Sequence, residues 1–211
     1  MALNDRRLAF IGAGHITNII LDNLVKAEKV HTHRVIASDP GKNNNTPVVR
    51  ALPNPPSQIG MGIAALAFNP HVTDKQKSDI FELFASLGEY VVLREENINA
   101  VMALSSPAAT YLFFKSLIDA GVRAGIDRET STKVVYQTIV GSMEVWNQRQ
   151  ASLHDLLSEA STPGGISMES ISTLEQYAFG TALHEAINNA ALKAEELGDA
   201  VPKFLKNSGS E

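Results

Sequence analysis

The sequence predicts an α/β half followed by an all-α half, and two observations carry that prediction. An apolar strand near the N-terminus runs straight into a glycine turn, Gly12-Ala13-Gly14. Strand-length apolar runs punctuated by proline and glycine continue to about residue 96, and from Asn97 onward apolar residues recur at helical spacing. The expected division is therefore residues 1–96 and residues 97–211.

Arg7–Ile11 reads as a buried strand. Ile16, Ile19, Ile20, Leu24 and Val25 follow at helical spacing, with Asp22, Lys26 and Glu28 between them. Arg34–Ser38 is a second strand, stopped by Asp39-Pro40-Gly41. Val48–Leu52 is a third, ending in Pro53-Asn54-Pro55-Pro56, which continues neither helix nor sheet. Gly60–Asn69 is strand-like and rich in small apolar residues. Thr73 suits the N-cap of a helix over Asp74–Leu87, and Tyr90–Leu93 is a last strand. Helices are expected at Asn97–Leu104, Pro107–Gly121, Arg128–Gln150, Leu153–Ala160, Met168–Phe179 and Thr181–Leu197, with a frayed tail from Pro202.

Composition bounds the function. The 211 residues carry a net charge of −5, which argues against nucleic acid as a partner. There is no cysteine, hence no thiolate nucleophile and no Cys-based metal site. The six histidines share no metal-ligand spacing, so no metal is expected. No apolar run approaches about 18 residues, so neither a membrane span nor a membrane partner is expected. A cytoplasmic protein is the default.

Two turns carry chemistry. Gly12-Ala13-Gly14-His15-Ile16, between a strand and a helix, opens a βαβ unit of the Rossmann-like, dinucleotide-binding kind. The first glycine allows the turn, and the second lets a pyrophosphate touch the backbone at the helix N-terminus. The third small position is Thr17, a departure from the fingerprint. At the end of the second strand Asp39 suits the ribose hydroxyl of NAD, whereas Ser38 and Lys42 suit the 2′-phosphate of NADP. A plain β-turn suits the same residues, so cofactor preference stays open.

The second turn is Ser161-Thr162-Pro163-Gly164-Gly165-Ile166-Ser167, three hydroxyls and a Gly-Gly pair. It lets backbone approach a ligand closely and points the N–H groups of a helix starting near Ser167 toward an anion such as a carboxylate. A tight turn with an N-capping serine is the alternative reading.

In order along the chain, these features resemble pyrroline-5-carboxylate reductase. They are the Gly12 turn, the Val48–Leu66 stretch with Pro53-Asn54-Pro55-Pro56, Ala100–Ser105 leading into a long helix, Asp119–Gly125, and the Pro-Gly-Gly turn. The resemblance covers about residues 7–40 and 47–198. It implies a Rossmann-like domain for reduced NADP or NAD, held by Gly12, Ala13, Gly14, His15, Ile16, Ser38 and Asp39. It also implies an all-α dimerisation domain that completes the active site of a second copy, with rings of dimers common in the family. The implied reaction is hydride transfer to the C=N carbon of pyrroline-5-carboxylate, giving proline. Ser167 and Thr162 are the implied catalytic hydroxyls, with Ser167 donating to the ring nitrogen. Gly164, Gly165 and Asn54 are the implied substrate-binding residues. An inactive, dimerising relative is the alternative, and a reductase of another imine or β-hydroxyacid would need Lys115 or Lys133 at the cofactor.

The sequence departs from the family in three places. Only Asp39–Thr46, eight residues, separates the second strand from the third, so no crossover helix fits and the nucleotide half is shortened. The family's Ser-Gly-Ser-Gly-Pro-Ala-Tyr run is reduced to Ser105-Ser106-Pro107-Ala108-Ala109. Pro55 stands where the family has a threonine, and Ile166 where it often has a small residue or threonine. Bands at Tyr111–Phe114, Leu117 and Ile118, and at Val134, Val135, Ile139, Val140, Met143 and Trp146, are more apolar than a helix facing one core needs, so a homodimer is expected.

Overall fold

The computed structural model of the protein describes residues 8–10, 35–37 and 47–207, with side chains over 47–197. These residues form an α/β part and a helical part, the order the sequence predicts. By compactness they fall into one unit of residues 1–106 with 187–211 and another of 107–186.

In the first unit, β1 (Leu8–Phe10) and β2 (Val35–Ala37) pair in parallel, with Leu8 opposite Val35 and Phe10 opposite Ala37. A second sheet has the order β3 (Val49–Pro53), β4 (Gly62–Phe68), β5 (Gly88–Val92). Here β3 runs antiparallel to β4, which periodicity does not reveal, and β5 runs parallel to it. The parallel pair is joined by α1 (Asp74–Ala85). Its N-terminus is a full capping box: the Gln76 N–H donates to Thr73 Oγ1, and the Thr73 N–H donates to the Gln76 side chain.

Strand β4 is buried on both faces. Ala64 and Leu66 pack with Leu83, Phe84 and Leu87 on one side, where Phe81 stacks on Tyr90 at 4.9 Å and meets Phe68 edge-on. Ala65 and Ala67 pack with Ile98 on the other. Ile98 opens α2 (Ile98–Leu104), a short helix fastened to β3 near both its ends. The Arg50 guanidinium donates to Asn99 Oδ1 at 3.0 Å, and Asn54 Nδ2 donates to the Ser105 carbonyl at 3.1 Å.

Two glycines allow a close approach at the start of β4. A 3-10 turn, Pro55–Ile59, seats buried Ser57 directly on Gly62, and a Cβ there would lie 2.6 Å from the Ser57 Cα and N. Gly88, with φ +132°, would place a Cβ 2.2 Å from the Gly62 carbonyl oxygen.

The second unit consists of α3 (Pro107–Arg123), α4 (Arg128–Arg149), α5 (Leu153–Ala160), α6 (Ile166–Gln176) and the start of α7 (Phe179–Asn207). Asp127 caps α4 by accepting from the Thr130 N–H, and Ser152 caps α5 by accepting from the Asp155 N–H. Helices α3 and α4 meet at Gly121, where a Cβ would lie 2.7 Å from Ser131 Oγ. Among its residues only Ser131 and Ser161 are buried, and no apolar side chain is. Tyr111, Leu112, Val134, Met143 and Trp146 of the two predicted bands are exposed. Helix α7 continues through Pro202 to Asn207, beyond the tail that the sequence leads one to expect.

The expectation that nothing is long and apolar enough to cross a membrane needs correction. The helical stretch Glu95–Arg123 meets that test by length and composition. It is divided, however: α2 ends at Leu104 and α3 begins at Pro107, so neither helix alone reaches about 18 residues.

Candidate functional site

The Pro-Gly-Gly segment is built on a fixed base. Arg149, at the end of α4, grips Glu159 with two hydrogen bonds of 2.6 and 2.8 Å. That pairing holds the Glu159 carboxyl below its usual range. Two residues later the buried Ser161 donates its hydroxyl to the Leu157 carbonyl at 2.5 Å. The chain then reverses. The Gly165 N–H donates to the Thr162 carbonyl at 2.9 Å, closing a turn with Pro163 and Gly164 at its centre. Gly164 has φ +71°, the left-handed conformation that favours glycine at the third place of a type II turn. A Cβ on Gly165 would press to 3.0 Å from the Thr162 oxygen.

Helix α6 starts at Ile166, two residues before the sequence predicts, because Gly165 is its N-cap. Ser167 is thus the second helical residue and does not cap the helix. The N–H groups of Ile166, Ser167 and Met168 lie in the first turn, where no helical acceptor exists. The Gly165 N–H, read from sequence as a donor to ligand, is used inside the turn instead. Thr162, Gly164 and Ser167 are exposed, and Ile166 is 90% exposed.

Beside them is a shallow open depression lined by Gly164, Gly165, Ile166, Met168, Glu169 and Ser170. Sequence reasoning missed the last three. The signal for Glu169 was an acidic residue in the first helical turn, where it complements the helix dipole and competes with an anionic ligand.

Asn54 lies elsewhere, in the first unit, with both ends of its amide engaged by backbone. Oδ1 accepts from the Ile63 N–H at 2.9 Å, and Nδ2 donates to the Ser105 carbonyl. The nucleotide-turn residues Gly12, Ala13, Gly14, His15, Ile16, Ser38 and Asp39 lie outside the described residues. Their anchor points do not. Phe10 and Ala37 are paired at the carboxyl ends of two parallel strands. A dinucleotide binds at such an edge of a parallel α/β sheet, so the described backbone fits the expected cofactor.

Neither lysine of the central helices is poised for catalysis. Lys115 Nζ is bound to Asp119 Oδ2 at 2.8 Å, and Lys133 lines a shallow surface with Arg128 and Tyr136. Asp119 also accepts from Arg128 at 2.8 Å, and both pairings hold its carboxyl below the usual range. Among the described residues no three His, Asp or Glu side chains gather as metal ligands would.

Comparison with known proteins defines the class first. A Plasmodium falciparum pyrroline carboxylate reductase solved with NADP bound superposes with a TM-score of 0.81 at 23% identity, over 92% of this chain and 99% of that one. A Coxiella burnetii pyrroline-5-carboxylate reductase superposes at 0.75 with 19% identity, over 92% and 99%. The fold is therefore the one these structures share, a Rossmann-like half followed by a helical half.

Residues 95–197 match the family described as pyrroline-5-carboxylate reductase dimerisation. The chain is 31% identical over 153 residues to the pyrroline-5-carboxylate reductase of Synechocystis, covering 72% of this chain and 57% of that protein. It is 32% identical over 171 residues to that of Mycobacterium tuberculosis, covering 72% and 58%. Over this segment the chain is similar to the pyrroline-5-carboxylate reductase family. It spans under three-fifths of the length of these curated relatives.

Proposed function

We propose that the chain reduces 1-pyrroline-5-carboxylate to L-proline with NADPH or NADH. The observation that carries this reading is the Thr162–Gly165 turn, which delivers the unpaired first turn of α6 together with two exposed hydroxyls. The N–H groups of α6 and the Thr162 hydroxyl suit the substrate carboxylate, and the Ser167 hydroxyl suits the ring nitrogen. Gly164 and Gly165 keep side chains out of the way, and Glu169 lines the same depression. The cofactor supplies hydride; the chain's part is to hold and orient. Residues 12–16, 38 and 39 are the proposed cofactor contacts.

The functional division we propose is 1–96 for the cofactor and 97–211 for dimerisation and substrate. The chain pairs with a second copy, in rings of dimers, in the cytoplasm. The exposed apolar side chains of α3 and α4 support this pairing.

One observation favours a second reading, an inactive dimerising protein: only the eight residues Asp39–Thr46 separate the second expected strand from the third. Titration with NADPH and NADH, followed by nicotinamide fluorescence, separates the two. Saturable binding, then loss of the reduced nicotinamide when pyrroline-5-carboxylate is added, supports the reductase. A folded dimer that binds neither cofactor supports the second reading. Ser167→Ala should lower kcat/KM about 100-fold, and an unchanged value would remove Ser167 from the mechanism.

A further inference from the structure

We infer that Asn54 is a positioning residue, tying the turn after β3 to the end of α2 so that residues 54–56 and 105–106 keep one fixed separation. The inference rests on the reductase reading, in which both turns belong to the site. Four hydrogen bonds converge on Asn54. Its N–H donates to the Ile63 carbonyl at 3.2 Å, and its own carbonyl accepts from the Ser57 N–H at 3.0 Å. Its side chain accepts from the Ile63 N–H and donates to the Ser105 carbonyl, 51 residues away.

Ser105 is the C-cap of α2, and its N–H donates to the Val101 carbonyl at 2.8 Å. Its own carbonyl lies past the last helical acceptor, where a helix end needs an external donor, and Asn54 supplies one. The other end of α2 is fixed independently by Arg50 on Asn99 and by buried Ile98, and its last turn packs through buried Ala103. Loss of the Asn54 amide therefore leaves the helix docked and frees only its exit. Half-buried and engaged at both ends, the amide has the chemistry of a strut more than of a ligand group.

Asn54→Asp is the informative variant. It keeps the acceptor for the Ile63 N–H and replaces the donor with an oxygen facing the Ser105 carbonyl. In the full chain it should lower kcat about tenfold or more at neutral pH, because small misplacements near reacting atoms are costly, while the NADPH Kd changes less than about threefold. Protonation of the introduced carboxyl restores a donor, so the variant's kcat should recover toward wild type as pH falls, a trend wild type lacks. Thr73→Ala, which removes the α1 cap, controls for general destabilisation and should leave kcat unchanged.

Wild-type kcat in Asn54→Asp, or a loss without recovery at low pH, overturns the inference. If wild type itself does not turn over, the reductase reading fails, and amide exchange then tests the strut. Faster exchange confined to residues 98–106 in Asn54→Asp supports it. Exchange equal to wild type there overturns it.

Discussion

Gly62→Ala tests the packing that sets the turn before β4. The added Cβ would lie 2.0 Å from Ser57 Oγ and 2.6 Å from the Ser57 Cα and N. The hydroxyl can rotate away, but the Cα and N belong to the 3-10 turn and cannot. Ordinary contact begins at 3.4 Å, so the turn must lift by about 0.8 Å. The bonds from Gly60 N–H to the Ser57 carbonyl and from Met61 N–H to the Pro56 carbonyl are already 3.2 Å long, and such a lift stretches them past useful range. Overpacking costs about 1–3 kcal/mol and each lost bond about 1, so the expected loss is about 3–5 kcal/mol.

Amide exchange over residues 49–68 is the suitable assay, because the single tryptophan, Trp146, lies on α4 and reports the helical unit. Exchange there should accelerate about 100-fold or more. Gly60→Ala is the control. It has φ +74° and open space around its Cβ, so only backbone strain of about 1–2 kcal/mol applies. If Gly62→Ala exchanges no faster than Gly60→Ala, the steric reasoning is wrong.

Two other predictions concern the helical unit. Ala178 holds φ +51° between α6 and α7, so Ala178→Gly should stabilise by about 1 kcal/mol, seen as a higher urea midpoint of Trp146 fluorescence; an unchanged or lower midpoint contradicts this. Asp119, Asp127 and Glu159 are all held below their usual ranges, by Lys115 and Arg128, by Thr130, and by Arg149. A depressed folded value adds stability that is complete above the unfolded values of 3.8 and 4.5 and is lost as pH falls through the folded ones. The midpoint should therefore drop on acidification below about pH 4.5, and Asp119→Asn should shallow that drop.

Local signals made much of this legible. Leu153–Ala160 forms as the sequence predicts because Ser152 and Asp155 spell a cap, and Asp127 likewise announces α4. The Pro163-Gly164 turn was readable because only glycine sits easily where it bends. What escaped was non-local. The antiparallel pairing of β3 with β4 depends on Ser57 seating on Gly62, and nothing in the spacing fixes that contact. A glycine inside a strand was the available sign of a close backbone approach. Asn54 was legible as a turn residue, but its partner Ser105 is 51 positions away and contributes only a carbonyl, which every residue has.

The contrast between Gly62 and Gly121 bears on how this sequence can drift. At Gly121 the obstacle is a side chain, Ser131, so a larger residue becomes admissible once position 131 changes. At Gly62 the obstacle is the main chain of Ser57, and at Gly88 it is the carbonyl of Gly62. No second-site replacement removes a main-chain atom. Gly121 is thus negotiable between two positions, whereas Gly62 and Gly88 are closed to compensation for as long as the hairpin keeps its register.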